Sequence, residues 1–409
     1  MKNLKELLMI SLKLPNAVII LAIFLIYGMS ISFFLPYQSM FFIYEVGISN
    51  SQLGIFMTIS TISGVMIATY IGRLSDVRLS RRKTLMLTTL ASLIGSILYS
   101  FVRDYFALLA IQCMIFGVAS AGWPQILAYA RDVAEEARIG KENIPFVMNL
   151  FRTFFTIAWT IGPVIAGFLL LHVQFSGLFL FISLGYLLVY ILVLFYVKER
   201  ENAKRKGQAK ADNPTKLMLN PFIMANFTAM MLVSAASTIS LMNMSLFIIE
   251  ILQGTERHVG VVFGIPPIFE IPFMIGVGYL ATKIKSIMIM RIGLLIAGLY
   301  FVLLFTVQDV WQIYPLQILN AAYISVSMGI AISYFQNFIP NEQGTATTLY
   351  TNATRLGQAI GLLTFGFLAD IFGYRFLFLV CGALSFASLS LLFVREYGLT
   401  KKKSRHVDV

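Results

Sequence analysis

Lys198–Lys216 reads KERENAKRKGQAKADNPTK and holds no apolar run. On both sides of it, apolar runs follow one another with little interruption, as at Ala17–Phe34, Thr84–Val102 and Phe175–Val197. Each is about 20 residues, the length a helix needs to cross roughly 30 Å of hydrocarbon. Backbone polar groups in lipid must be satisfied internally, which leaves helices or closed barrels. The runs are continuous rather than alternating, so they read as helices. Spans are expected near 17–44, 50–72, 84–102, 106–131, 146–170, 174–197, 221–249, 257–282, 286–306, 310–338, 343–369 and 374–394. Six precede the charged stretch and six follow it. The stretch is long for a helix connection and reads as a flexible cytoplasmic linker. The expected layout is a six-helix half over 1–197, a linker over 198–219, a second half over 220–396 and a basic tail over 397–409.

Composition agrees. The chain has 409 residues, of which 58% are hydrophobic and 12% charged, with a mean hydropathy of +0.82. A soluble chain carries about 25% charged residues. The net charge of +12 does not imply nucleic acid, because Lys and Arg concentrate in the N-terminus, the even-numbered loops and the C-terminus. That is the positive-inside pattern, which places both termini in the cytoplasm and the basic surplus against anionic lipid. Arg103, Arg257 and Arg375 fall on the opposite side, and Arg131, Arg152 and Arg355 lie within helices or at their ends. The first apolar run is too long for a cleavable signal and is expected to stay as the first helix. Cys113 and Cys381 sit mid-helix, and His172, His258 and His406 are scattered, so neither a disulfide framework nor a metal site is expected.

The halves resemble one another. Tyr44-Glu45 recurs as Ile249-Glu250, Gly72-Arg73-Leu74 as Gly278-Tyr279-Leu280, and Asn149-x-x-Arg152 as Asn352-x-x-Arg355, at offsets of 205, 206 and 203. Two parallel six-helix repeats are the layout of the major facilitator fold. The fold class is therefore all-α integral membrane, with twelve transmembrane helices in two pseudo-symmetric halves.

The loop after the second span reads Gly72-Arg73-Leu74-Ser75-Asp76-Val77-Arg78-Leu79-Ser80-Arg81-Arg82-Lys83. Gly72 permits close helix approach, Asp76 can pair with a cation on a neighbouring helix, and Arg81, Arg82 and Lys83 suit inner headgroups. This resembles the glycine-x-leucine-x-aspartate loop signature of major facilitators. Leu79 stands where the family has glycine, and Thr282 replaces the aspartate in the second half. In the fifth span, Gly162-Pro163 followed by Gly167 resembles the glycine-proline signature of facilitator antiporters; a kink without directional meaning is the alternative.

Glu270 sits mid-span between Pro266-Pro267 and Pro272, with Arg152 and Arg355 deep in the fifth and eleventh spans. A charge near the bilayer centre costs several kcal/mol, so it faces a partner or a wet cavity. These three side chains form either a fixed ion network or a site where Glu270 exchanges a proton while the arginines bind substrate. Residues three apart share a helix face, so Asn149 and Asn352 can orient Arg152 and Arg355. Arg131 closes the fourth span as a gate or by snorkelling. Tyr37, Gln38, Trp123, Gln125, Asn226, Asn243, Gln317 and Asn320 are cavity candidates, since rings stack on sugar C–H faces while amides read hydroxyls; interhelical hydrogen bonding is their other use.

Pro124-Gln125-x-x-Ala128-x-Ala130-Arg131, Arg152, Ala158-Trp159-x-Ile161-Gly162-Pro163, Glu270-Ile271-Pro272 and Thr351-Asn352-x-x-Arg355-x-Gly357 are similar to the bacterial sugar efflux transporter family. The resemblance implies a proton-driven exporter of a sugar or glycoside in the cytoplasmic membrane, with no cofactor besides the proton gradient. Relatives that export drugs or metal-chelating metabolites make a multidrug or metallophore exporter the alternative. A small-molecule substrate, membrane lipid and a monomeric unit are the expected partners and state. An intramembrane enzyme would need a Ser/His, Asp/Asp or metal constellation at one depth, which this sequence lacks. A receptor would carry an extra soluble domain, which the short loops leave no room for.

Overall fold

Each long apolar run is helical in the computed structural model, which describes residues 11, 14–77, 79–137, 143–199, 220–338 and 343–393. In chain order, α1 is Ala17–Glu45, α2 Asn50–Val77, α3 Arg81–Phe101 and α4 Tyr105–Glu136. After α7 (Pro221–Ile251) come α8 (Glu256–Leu280), α9 (Ser286–Thr306) and α10 (Val310–Asn337). Two further stretches, Ile144–Tyr196 and Gln343–Leu391, are each continuous by hydrogen bonding. Of the expected linker only Lys198 and Glu199 are among the described residues, and the basic tail lies outside them.

A helix of 53 residues would be about 80 Å long, against roughly 30 Å of hydrocarbon. The chain avoids this by reversing. Gln174 (φ 55, ψ −174) and Gly373 (φ 73, ψ 170) break the two stretches, giving α5 (144–173) and α6 (175–196), then α11 (343–372) and α12 (374–391). The packing shows the reversal. Gly28 of α1 lies against Phe155 and Ala158 of α5, while Ser30, two residues on, lies against Gly185 of α6. In the same way Gly357 of α11 backs onto Met231 and Ser234 of α7, and Ser388 of α12 donates to Ala229 O at 2.7 Å. Among the described residues, the ten apolar helical segments therefore make the twelve spans expected from the sequence. Gly373 reaches its positive φ without a Cβ penalty; Gln174 does so at a steric cost.

The helices form two compact units. Unit 1 comprises Met1–Ile48, Phe56–Lys206 and Thr255–Gly264; unit 2 comprises Ser49–Ile55, Gly207–Gly254 and Ile265–Val409. Lipid is as apolar as a leucine side chain, so burial alone does not drive helices together in a membrane; close packing of small residues does. In unit 1, rings fill the space that small residues leave: Phe41, Tyr99, Phe175 and Phe179 pack with centroids 5.0–5.7 Å apart around Phe41. In unit 2 a buried core joins Phe227, Met230, Leu294, Phe335 and Leu349.

The repeat extends to irregular features. α1 ends in a π-turn at Phe41–Glu45 and α7 in one at Phe247–Ile251, an offset of 206. Each π-turn carries an arginine on its first ring. Arg103 lies 5.0 Å over Phe41, and Arg375 lies 5.4 Å over Phe247. Both also tie down helix ends: Arg103 donates to Tyr99 O and Val102 O at the end of α3, Arg375 to Phe305 O and Val307 O at the end of α9. Arg103 further pairs with Glu45 at 3.3 Å, and Arg257 stacks on Phe168 at 5.5 Å. The three arginines that break the basic-loop pattern are thus fastened to protein, each cation–π contact being worth about 0.5–1 kcal/mol.

Candidate functional site

In unit 1 an aromatic platform forms around Phe155, one turn along α5 from Arg152. α4 is interrupted at Ser120 and Ala121, where the Ser120 hydroxyl donates to Gly117 O and Gly64 O. The helix resumes at Gly122, whose missing side chain leaves room for the Tyr27 hydroxyl against the backbone. This delivers Trp123 onto Phe155 at 4.1 Å, with Phe24 edge-on at 5.4 Å and Tyr27 stacked at 6.3 Å. On α5, Asn149, Arg152, Phe155 and Trp159 project from one face by their spacing. Trp123 is half-buried, Asn149 and Arg152 are exposed, and Arg152 has no ion pair among the described residues. The Trp159 indole Nε1 is buried without a hydrogen-bond partner among them. Rings for the faces of a ligand and a planar cation for its oxygens are what a polyhydroxylated molecule requires.

At the end of unit 1 that carries the basic loop, a second cluster forms. Ser80 caps α3 by accepting from Lys83 N–H, which fixes the first turn so that Arg81 points inward. Its guanidinium bonds Ser75 Oγ and Gln125 Oε1, both at 3.1 Å, and pairs with Asp132 at 3.3 Å. Ser75 also donates to Gln125 at 3.0 Å. The cluster therefore joins α2, α3 and α4. Arg81 is buried there rather than reaching for headgroups, and Gln125 belongs to this cluster rather than to the platform. Arg82 donates to Leu194 O, and Lys83 pairs with Glu199 at 3.5 Å. The Ser80 hydroxyl, then Lys83, hold the exposed Glu199 carboxyl below its ordinary range. Arg131 is exposed and pairs with Glu135 one turn on at 2.8 Å. A Cβ at Gly72 would meet open space, so close approach is not its role here. Asp76 lies in the helical backbone of α2, and its side chain is outside the described residues.

Gly162 and Pro163 form a seam with α1. A Cβ at Gly162 would overlap Ser32 Oγ, which itself donates to Ala158 O at 3.1 Å. Tyr37 is fully buried, its hydroxyl within reach of Pro163 O at 2.7 Å and Glu256 O at 3.0 Å. Gln38 donates to Met57 Sδ. Both side chains are committed to protein.

In unit 2, Glu270 lies half-buried in the middle of α8, with no ion pair among the described residues; Ser325 of α10 donates to its backbone carbonyl at 3.2 Å. Polar side chains link α7, α9 and α10: Asn320 donates to Gln317 at 2.7 Å, Gln317 to the Tyr300 hydroxyl at 3.3 Å, and Tyr323 to Ser237 at 3.4 Å. Tyr300, Tyr323 and Ser237 were not singled out in the sequence. Asn226 is buried between Phe222 O and the Tyr334 hydroxyl, and Asn243 donates to Tyr374 O at 2.8 Å. Asn352 and Arg355 are exposed on α11, and Arg355 likewise has no ion pair among the described residues. Glu270 and Arg355 are therefore not joined within unit 2.

Comparison with known proteins agrees with this architecture. A family profile described as Major Facilitator Superfamily matches residues 20–361 and 227–408. Sugar efflux transporter C of Escherichia coli (strain K12) is 31% identical over 366 residues, covering 88% of this chain and 91% of its own. Sugar efflux transporter A of Dickeya chrysanthemi is 30% identical over 351 residues, 86% of this chain and 88% of that one. Among solved structures, the nucleoside transporter NupG superposes with a TM-score of 0.74 at 16% identity, covering 94% of this chain and 100% of its own. A structure of the peptide transporter POT gives 0.75 at 12% identity, covering 96% and 95%. These structural likenesses show the fold. The chain belongs to the major facilitator superfamily, and it is a multi-pass membrane transporter rather than an enzyme.

Proposed function

We propose that this protein exports a sugar or glycoside across the bacterial cytoplasmic membrane by alternating access, in exchange for an entering proton. The observation that carries the substrate class is the Trp123–Phe155 platform on the same side of α5 as Arg152. It is supported by relatives named sugar efflux transporters over most of the chain. A pyranose presents C–H faces to rings and hydroxyls to a guanidinium fork, and the platform supplies both.

Glu270 carries the proton. It is a carboxylate in the middle of a proline-interrupted span, with no described cation within ion-pair distance to hold it fixed. A charge placed there needs a wet cavity or a neutral form, and exchange between the two couples the proton to the cycle. Arg355, with Asn320 held by the buried Gln317, stands in the same unit to meet sugar hydroxyls. Both termini lie in the cytoplasm, and the working unit is a monomer.

Inside-out vesicles with an imposed pH gradient test this reading. Radiolabelled sugar is expected to accumulate only while the gradient lasts, and Glu270→Gln is expected to bind sugar yet fail to concentrate it. Accumulation by Glu270→Gln at the wild-type rate removes Glu270 from coupling. Gradient-driven accumulation of cationic dyes or metallophores without any sugar transport would replace the substrate class and leave the coupling intact.

A further inference from the structure

The first turn of α2, at the end away from the basic loop, is held in unit 2 by one carboxylate. Asp370 Oδ1 on α11 accepts from Asn50 N–H at 3.2 Å and Asn50 Nδ2 at 2.9 Å, and its Oδ2 from Ser51 N–H at 2.9 Å and the Ser51 hydroxyl. Tyr374 donates to Asn50 Oδ1 at 3.2 Å from the other side. The first N–H groups of a helix lack intrahelical acceptors and carry its positive dipole end, so an anion there is doubly favoured. Beneath the carboxylate two glycines bring backbones together: a Cβ at Gly54 would stand 2.7 Å from Leu362 O, and one at Gly366 2.6 Å from Asn50 O.

Unit 1 contains the repeat counterpart of this seam. A Cβ at Gly260 of α8 would stand 2.5 Å from Pro163 O, and one at Gly167 of α5 2.5 Å from Glu256 O. Gly260 is 206 residues after Gly54, and Gly167 is 199 before Gly366. The same offset of 199 takes Asp370 to Leu171, so the repeat keeps the backbone approach and lacks the acid. The α5–α8 seam is bridged instead by the buried Tyr37 hydroxyl and by Arg257 on Phe168, whereas the α2–α11 seam carries an exposed carboxylate clasp. Asp370 is also exposed, so water can replace each of its bonds as they break.

We propose that Asp370 is a latch on the α2–α11 seam, a positioning residue whose bonds to Asn50 and Ser51 break and re-form in each transport cycle. The latch rests on alternating access and is independent of which molecule moves and of where the proton sits. Alternating access requires helix ends to part on one side of the membrane while they stay packed on the other. A clasp of several exposed hydrogen bonds over a glycine seam holds such an end until the cycle demands its release.

The experiment is a label-to-label distance in full-length protein in lipid nanodiscs, on a Cys113→Ser/Cys381→Ala background. Spin labels go on Ile55→Cys and Phe372→Cys, which are 39% and 54% exposed. In Asp370→Ala the population with lengthened distances is expected to rise at least threefold over the parent. Ser51→Ala, which leaves Asp370 in place, is expected to move it the same way by a smaller factor. In transport assays Asp370→Ala is expected to lose at least threefold in Vmax with KM within twofold, and Asp370→Glu to recover part of it. Unchanged distances in both variants, or a KM shift at constant Vmax, overturn the latch even where transport itself is confirmed. Should Asp370→Ala fail to fold, the distances in Ser51→Ala decide.

Discussion

Replacing Gly162 by alanine tests whether the Gly162-Pro163 signature is a packing seam. An ideal Cβ at Gly162 would overlap Ser32 Oγ and stand 3.0 Å from Ser32 Cβ and 3.5 Å from Phe33 Cδ1. Ser32 is fully buried, and its Oγ lies 3.1 Å from Ala158 O and 3.2 Å from Met29 O. The new methyl must therefore drive the hydroxyl out of its interhelical bond. That bond is worth about 0.6 kcal/mol in a membrane, and overpacking adds about 1–3 kcal/mol. Gly162→Ala is thus expected to lose about 2–3 kcal/mol. Ser32→Ala alone loses only the hydrogen bond, about 0.6 kcal/mol. In the double variant two methyls meet near 3.0 Å, a clash that a shift of a few tenths of an ångström relieves. It is expected to lose about 1 kcal/mol, a coupling of roughly 1.5–2.5 kcal/mol. The assay is reversible unfolding in mixed micelles for all four members of the cycle. Gly167→Ala serves as the contrast: Tyr37 Oη and the backbone oxygen of Glu256 both stand 2.5 Å from its Cβ, so Tyr37→Phe leaves the Glu256 clash and is not expected to rescue it. Additive losses at Gly162 and Ser32, or a Gly162→Ala variant as stable as wild type, refute the packing account.

Asp132→Asn strips the Arg81 guanidinium of its carboxylate while Ser75 and Gln125 remain. With Asp132 about a quarter exposed, the expected cost is about 1–2 kcal/mol, below that of a fully buried pair. Thermal unfolding reads that loss, and turnover is expected to fall further than ligand affinity. Trp123→Ala removes the ring packed on Phe155 at 4.1 Å; sugar affinity by calorimetry is expected to drop roughly tenfold to a hundredfold, as for a buried aromatic anchor. Trp123→Phe keeps a stacking face and is expected to stay within a few-fold. Gln174→Gly relieves the positive φ of 55° that joins α5 to α6, a strain of about 1–3 kcal/mol partly offset by the chain entropy of glycine. The variant is expected to match or exceed wild type in thermal unfolding.

The fold was legible because the hydrocarbon thickness imposes a length on every helix. Gaps expected at 170–174 and 369–374 fall on the two reversals, although the helical hydrogen bonding runs through both. Gly373 announces its turn as a glycine free to take positive φ; Gln174 does not, because what forces it is the return of α6 along α1 at Ser30 and Gly185, a tertiary demand that no local residue signals. The π-turns at Phe41–Glu45 and Phe247–Ile251 were equally silent. Their trace in the sequence is the offset between Glu45 and Glu250, which marks the repeat without revealing an extra residue in the helical turn.

The candidate site was legible in residue type and less so in assignment, for one physical reason. A polar side chain in an apolar helix must find a partner, but the sequence does not say whether that partner is a ligand or a backbone carbonyl. Tyr37, Asn226 and Asn243 resolve to protein oxygens, and Gln317 to a tyrosine hydroxyl. Trp123 differs because the broken turn of α4 at Ser120 leaves it half-buried with a ring face on Phe155. Asp132 escaped notice beside Arg131, where either charge suits a helix end facing water. Its value comes from Arg81, brought inward by a serine cap fifty-two residues earlier in the chain. Asp370 escaped in the same way, since an acid at the end of a span reads as solvated until the first turn of α2 is found docked on it. In both cases a carboxylate at a helix end is satisfied by a different helix. A span-by-span reading passes over such residues for that reason, and at both of them a single substitution is expected to lower turnover more than affinity.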